Sequence, residues 1–514
     1  MSTFLRTLGL ALAAFCCASV AHASGYPGHG RAIDQLKPTS DYGDVLNGRP
    51  RALGIMRTRA NGFVPSPAMH DYVKGVLDRV LRGVVLPPSF KPDVRILAAP
   101  EFTALCTPDG TVMVTVGLLE LLDNEDELAF VLAHEVSHAV YRHHASDWFT
   151  RSQYYMVMNG AALENVTSRV SFSAGGFNTA DIGRGVDVAR HLYILSQNVL
   201  APQMTRDQED QADALGFDLM VKAGYNSAAA LAVMDKLAEQ EAEAAASAKS
   251  AQAAAKEAKR KETHSGGFGF SFGGFSFGSG SSSASRGGVS SWLDLGLALF
   301  DAAVDTFADE AASHHPAGER EQLLSAYEFR EYRDLTLVEP TPLPWAERST
   351  APHAEALTQL LAHYAAAENA AAYVADTSQG APDIAADEVA HASAKPTSDH
   401  AYTQFVAAEY YDMNKKSDLS EAALQRAASG PEPSWEVYSR LIDIHTARKD
   451  WSGAELLMDQ AVLRFDNSPV LLPKRITILH GAGNKREVEK LLPQCDTYDI
   501  RELHDACRKA AGKS

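Results

Sequence analysis

The sequence predicts an α+β fold: a mainly helical domain with a small β-sheet, followed by an all-α repeat domain. Apolar side chains in residues 72–81 recur at helical spacing, whereas residues 112–116 alternate in the manner of a strand. From about residue 352 onward the apolar spacing is helical throughout. A length of 514 residues leaves room for two or three domains of about 100–200 residues each.

The C-terminal helices recur with a regular period. Ala422, Ala454 and Val488 occupy matching places, 32 and 34 residues apart. This period and its helix-turn-helix layout predict tetratricopeptide-like repeats over residues 351–514, whose stacked faces usually hold peptides or proteins. An unrelated helical bundle is the alternative.

The N-terminal residues predict export. Arg6 precedes an apolar stretch at residues 8–20, and Ala-His-Ala at residues 21–23 matches a signal-peptidase site. We therefore expect residues 1–23 to be a signal peptide; a short membrane anchor is the alternative. No other stretch is long and apolar enough to cross a bilayer, so we expect a mature chain without a transmembrane segment.

Between these ends we expect a loose lead-in at residues 24–64 and the α+β domain at residues 65–335. An insertion at residues 238–289 is rich first in Ala, Lys and Glu and then in Gly, Ser and Phe. That composition favours a flexible loop over a sticky patch for a partner. The formal net charge of −18 argues against a nucleic-acid partner, because phosphate contacts need a basic surface.

Three cysteines remain after the predicted signal peptide. An exported protein can hold a disulfide, and Cys495 and Cys507 lie close together in the sequence. We expect these two to pair and Cys106 to be a buried thiol. Three unpaired cysteines are the alternative.

The pattern His-Glu-Val-Ser-His that starts at His134 is the strongest chemical signal in the chain. Asn124 as N-cap, with Glu127 at the third helical position, predicts a helix through this pattern. His134 and His138 then lie on one helical face, so both imidazoles can bind one cation. Glu135 lies beside that face, where its carboxylate can take a proton from water.

Catalytic zinc usually has three protein ligands and one open position, so a further ligand is expected. A second strong helix, at about residues 205–223, offers Glu209 and, one turn later, Asp213. Glu209 would complete a site for one zinc ion per chain, while Asp213 would accept a hydrogen bond from a ligand histidine and fix its tautomer. A solvated acidic face is the alternative.

The stretch VRILAAPEFTALCTPDGTVMVTVGLLELLDNEDELAFVLAHEVSHAVYRHH resembles the core of the zinc metallopeptidase family that includes HtpX and the CAAX-prenyl endopeptidase. The resemblance covers about residues 65–330 and includes the E-x-x-x-D motif at Glu209 and Asp213. It implies a zincin-type metalloprotease domain. A signal peptide with C-terminal repeats is most similar to the periplasmic beta-barrel assembly-enhancing subgroup of that family.

This resemblance implies a periplasmic endopeptidase that acts on misfolded or misassembled envelope proteins and contacts the outer-membrane assembly machinery through its repeats. Zinc would activate a water molecule and Glu135 would be the general base. We expect residues 112–116 to form the edge strand to which an extended substrate adds; a plain core strand is the alternative. A chaperone or scaffold with a latched or weakly active zinc site is the competing function.

Four further residues have candidate roles. The resemblance implies that His315 is a removable fourth ligand or an oxyanion donor; a helix-start histidine beside Pro316 is the alternative. Arg320 would stabilise developing negative charge or pair with an acidic neighbour. His143 and His144 lie at the end of the predicted motif helix, which favours a dipole or surface role over metal binding.

The chain departs from the family pattern at three places. Thr103 stands where the family usually has Asn, and Gln211 replaces a common acidic residue. The spacing from His315 to Arg320 is one residue shorter than usual. None of these departures removes a predicted zinc ligand.

Overall fold

The structure is a computed structural model, and it describes only part of the chain. The predicted signal peptide at residues 1–23 lies outside the described residues, as do His144, His315 and all but the first residues of the predicted insertion. The described ranges are 26–37, 62–86, 90–99, 102–107, 110–143, 204–242, 316–346, 349–375, 382–497 and 501–513.

A small sheet surrounded by helices is followed by a helical region, which confirms the predicted α+β class. The strands are β1 (Asp93–Leu97), β2 (Ala104–Cys106) and β3 (Thr111–Thr115). The helices of the first half are α1 (Ala32–Gln35), α2 (Pro67–Val80), α3 (Val116–Leu121), α4 (Glu125–Val140), α5 (Arg206–Lys222), α6 (residues 228–242) and α7 (Ala317–Glu331). Those of the second half are α8 (Ala354–Ala375), α9 (Pro382–Ala392), α10 (Ala401–Met413), α11 (Ser417–Ser429), α12 (Trp435–Ala447), α13 (Trp451–Arg464), α14 (Leu472–Gly481), α15 (Lys485–Cys495) and α16 (Arg501–Ala510).

The sheet has the strand order β1-β3-β2. β1 runs parallel to β3, with Val94 opposite Val112, and β2 runs antiparallel to it, with Leu105 opposite Met113. The expectation that residues 112–116 form the substrate edge is therefore wrong. β3 has a strand on either side and all five of its residues are buried, and Val116 already begins α3. The edge strand on this side of the described sheet is β2.

Helix α4 begins as the sequence predicts. Asn124 caps it by accepting a hydrogen bond from the backbone N–H of Glu127 at 2.9 Å. The Glu127 carboxylate reaches back to accept from the N–H of Asp123 at 2.9 Å, and Lys236 on α6 lies 3.1 Å from the same carboxylate. These contacts fix the start of the helix that carries the histidine pattern.

Helix α5 also agrees with its prediction. Thr205 and Gln208 form a reciprocal capping box at its N-terminus. The helix ends just before Gly224, which has a φ of +79° that suits glycine. Both helices of the candidate site are thus defined by local sequence signals at their ends.

A short N-terminal segment packs against α5 and α7. The N–H of Ala32 donates to the Tyr327 hydroxyl at 2.8 Å, and the N–H of Ile33 donates to Asp218 at 2.9 Å. Tyr26 is buried against the ring of Tyr327. This part of the predicted lead-in is therefore packed rather than loose, because it buries apolar side chains and satisfies its backbone on a distant helix pair.

The buried apolar side chains form two large clusters. One joins the sheet and the helices of the first half to helices α8–α12. The other begins at Trp435 and holds the C-terminal helices together. The predicted repeats over residues 351–514 stay a prediction, although all the regular structure described there is helical.

Cys495 at the end of α15 and Cys507 in α16 form a disulfide. Cys106 at the end of β2 is buried and takes no part in a disulfide. Among the described residues, no helix is both long enough and apolar enough to span a bilayer.

Candidate metal centre

His134 and His138 lie one turn apart on the same side of α4. Their Nε2 atoms are 3.0 Å apart, and the two rings meet edge to face. His138 is almost fully buried, with 3% of its surface exposed. The i, i+4 spacing thus brings two imidazole nitrogens to one point, as the sequence predicts.

Glu209 approaches the same point from the first turn of α5. One carboxylate oxygen lies 3.6 Å from Nε2 of His134, and the other lies 3.7 Å from Nε2 of His138. The approach depends on a close contact between α5 and α4 at Gly216. A Cβ atom on Gly216 would lie only 2.9 Å from the backbone nitrogen of His134 and 3.0 Å from its Cα atom.

The geometry of these three side chains fits a metal ion. Their ligand atoms all lie within 4.8 Å of one another. Among the described residues, they form the group of His, Cys, Asp or Glu side chains that could hold a metal ion. Tetrahedral zinc with bonds of about 2.0–2.2 Å needs ligand atoms roughly 3.3–3.6 Å apart. The separations of 3.0, 3.6 and 3.7 Å are close to that requirement. Two imidazoles and one carboxylate also leave a fourth position for water.

Asp213 and Arg320 lie behind the three candidate ligands. An Asp213 oxygen is 2.9 Å from Nδ1 of His134, so the carboxylate can hold that ring with Nε2 towards the ion. Arg320 on α7 donates to both oxygens of Asp213, at 2.9 and 2.7 Å. Its third nitrogen lies 3.2 Å from Glu209. The pairing of Arg320 with an acidic neighbour, one of its two predicted roles, is therefore present.

These contacts alter the pKa values of Asp213 and His134. Burial raises the pKa of Asp213, but the charge and hydrogen bonds of Arg320 outweigh it and lower the pKa to about 2. For His134, burial lowers the pKa, and the Asp213 carboxylate more than reverses that effect. Asp213 is therefore a permanent anion beside the site, balanced by a permanent cation.

Glu135 lies next to the candidate ligands and is partly buried. This burial is the largest effect on its pKa and raises it to about 7. The backbone N–H of Cys106 in β2 donates a hydrogen bond to it. A carboxylate with a pKa near neutrality can both accept and return a proton.

A cavity of about 210 Å³ adjoins the site. His134 and Glu135 form part of its polar wall. Residues of both β2 and α6 line it, and most of the lining is apolar. The apolar lining includes Phe102, Leu105, Phe130, Val131, Val233 and Leu237.

The outer edge of β2 is directed towards this cavity. The N–H of Thr115 donates to the backbone oxygen of Thr103, and the N–H of Thr107 donates to the backbone oxygen of Thr111. Because pairing alternates along an antiparallel strand, the backbone groups of Ala104 point outwards. The site therefore has a strand edge beside it, although a different one from the edge predicted.

His143 is a site residue that sequence reasoning missed. Its Nδ1 lies 2.9 Å from Nδ1 of His138, and its Nε2 lies 3.3 Å from Oε1 of Gln211. The predicted surface role for His143 is thus wrong, because its ring contacts a candidate ligand, although His143 is not itself one of the candidate ligands. The cause is Arg142, whose φ of 59° folds the chain back after α4. A non-glycine residue in this conformation leaves no sequence signal.

The chain is similar to a known protein family and to named metalloproteases. Residues 67–327 match the Peptidase family M48. Mitochondrial metalloendopeptidase OMA1 of Schizosaccharomyces pombe is 29% identical over 179 residues, which are 34% of this chain and 47% of that protein.

Two bacterial proteins are also similar. Beta-barrel assembly-enhancing protease of Yersinia pestis is 28% identical over 135 residues, 26% of this chain and 25% of that protein. Metalloprotease YcaL of Escherichia coli is 25% identical over 144 residues, 28% of this chain and 50% of that protein. The chain thus spans between a quarter and a half of the length of these relatives.

Proposed function

The chain belongs to peptidase family M48 and is a metallopeptidase, and from this premise we propose that it is a zinc-dependent endopeptidase of exported, misfolded or misassembled envelope proteins. The observation that carries the proposal is the convergence of His134, His138 and Glu209, with Glu135 beside them. Two imidazoles, one carboxylate and an open position are the ligand set of several catalytic zinc sites. When bound, the ion would polarise the scissile carbonyl and make water more acidic.

Glu135 acts as the general base in this proposal. Its carboxylate takes a proton from the attacking water and returns it to the amine that leaves. The raised pKa of about 7 supports this role, because a proton taken up at neutral pH can be released again in the same cycle. The Cys106 N–H holds one side of the carboxylate in place.

The substrate lies extended along β2. The outward backbone groups of Ala104 supply the main-chain hydrogen bonds, as in other cases of strand addition. The apolar cavity beside Glu135 takes one side chain next to the scissile bond. Unfolded envelope proteins offer both features, an unpaired backbone and exposed apolar side chains.

Export and client choice are supported by separate observations. The signal-like pattern at residues 1–23 favours the periplasm. The partial similarity to a protein named Beta-barrel assembly-enhancing protease favours envelope clients, which the C-terminal helices would present or hold at the assembly machinery. For His315 we retain the roles of removable ligand or oxyanion donor.

A chaperone or scaffold with a weakly active zinc site is the second candidate. One contact favours it: Nη1 of Arg320 lies 3.2 Å from the Glu209 oxygen that also faces His134. Arg320 thus competes with an ion for the same carboxylate. In this function the C-terminal helices bind clients and little hydrolysis follows.

The two functions differ in the effect of Glu135→Gln. For the endopeptidase we expect casein hydrolysis to fall about 10²–10⁴-fold, while each chain still binds one zinc ion. Glu120→Gln is the matched control, because burial also raises the pKa of Glu120 to about 7 but it lies outside the cavity lining. Equal hydrolysis by the Glu135→Gln and wild-type proteins would reject the endopeptidase.

A further inference from the structure

Two side chains connect the candidate ligand His138 to helix α5. Nδ1 of His138 lies 2.9 Å from Nδ1 of His143, and Nε2 of His143 lies 3.3 Å from Oε1 of Gln211. Gln211 stands two residues after Glu209 on α5. The three side chains form a continuous line that ends at the metal site.

The chemistry of these groups determines which atom is the donor in each hydrogen bond. An amide oxygen only accepts hydrogen bonds, so Nε2 of His143 must carry the hydrogen. A neutral imidazole has one N–H, which leaves Nδ1 of His143 as an acceptor. Nδ1 of His138 must then be the donor. Its Nε2 is left with a lone pair, directed at the point where Nε2 of His134 also lies.

We propose that His143 and Gln211 are positioning residues that fix the tautomer and ring orientation of His138 for metal binding. This inference rests on the metal site of the proposed function. The orientation of His134 is fixed by a charged partner, since Asp213 lies 2.9 Å from its Nδ1. The orientation of His138 is fixed by two neutral side chains, His143 and Gln211.

The fold holds His143 in the geometry that this role requires. The positive φ of Arg142 reverses the chain, and the N–H of His143 donates to the backbone oxygen of His138 at 2.9 Å. On its other side, the ring stacks on Tyr141, with centroids 5.5 Å apart and planes inclined by 16°. The ring is therefore held by the backbone, by Tyr141 and by Gln211 together.

A neutral pair also limits the negative charge near the ion. Glu209 and Asp213 supply two negative charges and Arg320 supplies one positive charge. Gln211 accepts a hydrogen bond at this position without adding another carboxylate to those of Glu209, Asp213 and Glu135. His138 is thus oriented without any change in the net charge of the site.

The test measures zinc affinity of the full chain by competition with a chromophoric chelator at pH 8. Gln211→Met keeps the length of the side chain but removes the acceptor, and we expect zinc to bind about 10–100-fold more weakly. Gln211→Glu keeps an acceptor oxygen, so its affinity should stay within a few-fold of wild type. His143→Ala should weaken binding as much as Gln211→Met, and combining the two changes should add little.

Cobalt(II) provides a second readout, because its visible absorption reports ligand geometry. We expect an altered spectrum for Gln211→Met and a wild-type spectrum for Gln211→Glu. Thermal midpoints of the metal-free variants check that each one is folded. Wild-type affinity and spectrum in a folded Gln211→Met protein would overturn the inference, and so would equal losses in the Met and Glu variants.

These outcomes are separable from failure of the proposed function. If the wild-type chain does not bind zinc, the metal site itself is rejected. If it binds zinc tightly and hydrolyses casein while Gln211→Met does the same, only the positioning roles of His143 and Gln211 are rejected.

Discussion

Arg320 pairs with two buried carboxylates through one side chain. It contacts both oxygens of Asp213 and one oxygen of Glu209, and only 13% of its side chain is exposed. Because these groups are shielded from water, each charge is stabilised mainly by the opposite charge beside it. Arg320 therefore contributes to the stability of the fold as well as to the candidate metal site.

Replacing Arg320 by Ala should therefore destabilise the protein. The Asp213 and Glu209 carboxylates would stay buried without their cation, and loss of one partner from such a group costs about 3–5 kcal/mol. We expect a lower thermal midpoint for the metal-free Arg320→Ala protein. Arg320→Lys keeps the charge but loses the two-point contact, so its midpoint should fall between the other two. Three equal midpoints would contradict the structural role.

Asp218 should make stability depend on pH. Burial raises its pKa from 3.8 to about 6, although Tyr327, Tyr332 and the N–H of Ile33 donate hydrogen bonds to it. Between these values the folded chain holds a proton that the unfolded chain has released, so the free energy of unfolding falls as pH rises. At about 1.4 kcal/mol per pH unit, the total change is about 3 kcal/mol.

The measurement compares thermal midpoints of wild type and Asp218→Asn from pH 4 to pH 7. The Asn variant cannot titrate, so its stability relative to wild type should rise across this range. A constant difference between the two proteins would contradict the raised pKa.

Single residues differ in how far the sequence could predict them. His134, Glu135 and His138 follow from helical spacing alone, since a helix fixes which residues share a face. Glu209 needed in addition the family resemblance, because its distance from the histidines depends on how two helices pack. His143 could not be predicted, since its inward turn depends on the backbone conformation of Arg142.

At the scale of elements, the candidate metal centre depends on how closely α4 and α5 pack. The contact at Gly216 leaves no room for a Cβ atom against the backbone of His134. Backbone cannot move aside as a flexible side chain can. The separation of these helices in turn sets the separation of Glu209 from the two imidazoles.

Gly216→Ala should therefore weaken zinc binding. The added methyl group forces the helices apart, with a loss of about 1–3 kcal/mol in the free energy of unfolding. Gly75→Ala in α2 is the matched control, because its Cβ atom would meet nothing within 4 Å. A helix gains roughly 0.5–1 kcal/mol from that change. Equal zinc affinity of the two variants in chelator competition would refute the packing argument.

The strands show where pattern reasoning fails. The alternation in residues 112–116 correctly predicts a strand, but alternation does not tell a central strand from an edge strand. Strand order depends on which partners pair, and those partners are distant contacts. β2 has three residues and little pattern of its own, so its position beside Glu135 emerged only from the fold.

At the scale of the whole molecule, the two apolar clusters divide the chain differently from its composition. The cluster of the metallopeptidase domain continues through α8–α12, whereas the C-terminal cluster begins only at Trp435. The sequence predicted a change of domain near residue 351, where the repeat-like helical pattern begins. A sequence pattern reports where such a repeat begins, but packing decides which helices share a core.

The disulfide belongs to the C-terminal cluster alone. Cys495 and Cys507 are 12 residues apart, and closing a loop of about that length restricts the unfolded chain by about 3 kcal/mol. We expect the Cys495→Ser/Cys507→Ser double variant to lose thermal stability in α14–α16, measured by calorimetry. Its zinc content should equal that of wild type, because the metal site lies in the other cluster. Loss of zinc from this variant would show that the two clusters are coupled.

The hydrogen bonds of Ala32 and Ile33 have a consequence for the order of synthesis. Their acceptors, Tyr327 and Asp218, lie 295 and 185 residues further along the chain. Arg320 is likewise made more than a hundred residues after Asp213. A nascent chain that has produced both histidines and Glu209 still lacks Arg320, which pairs with Glu209, and the residues that accept hydrogen bonds from Ala32 and Ile33. The ribosome has therefore made well over half of the polypeptide before the candidate metal centre can be completed.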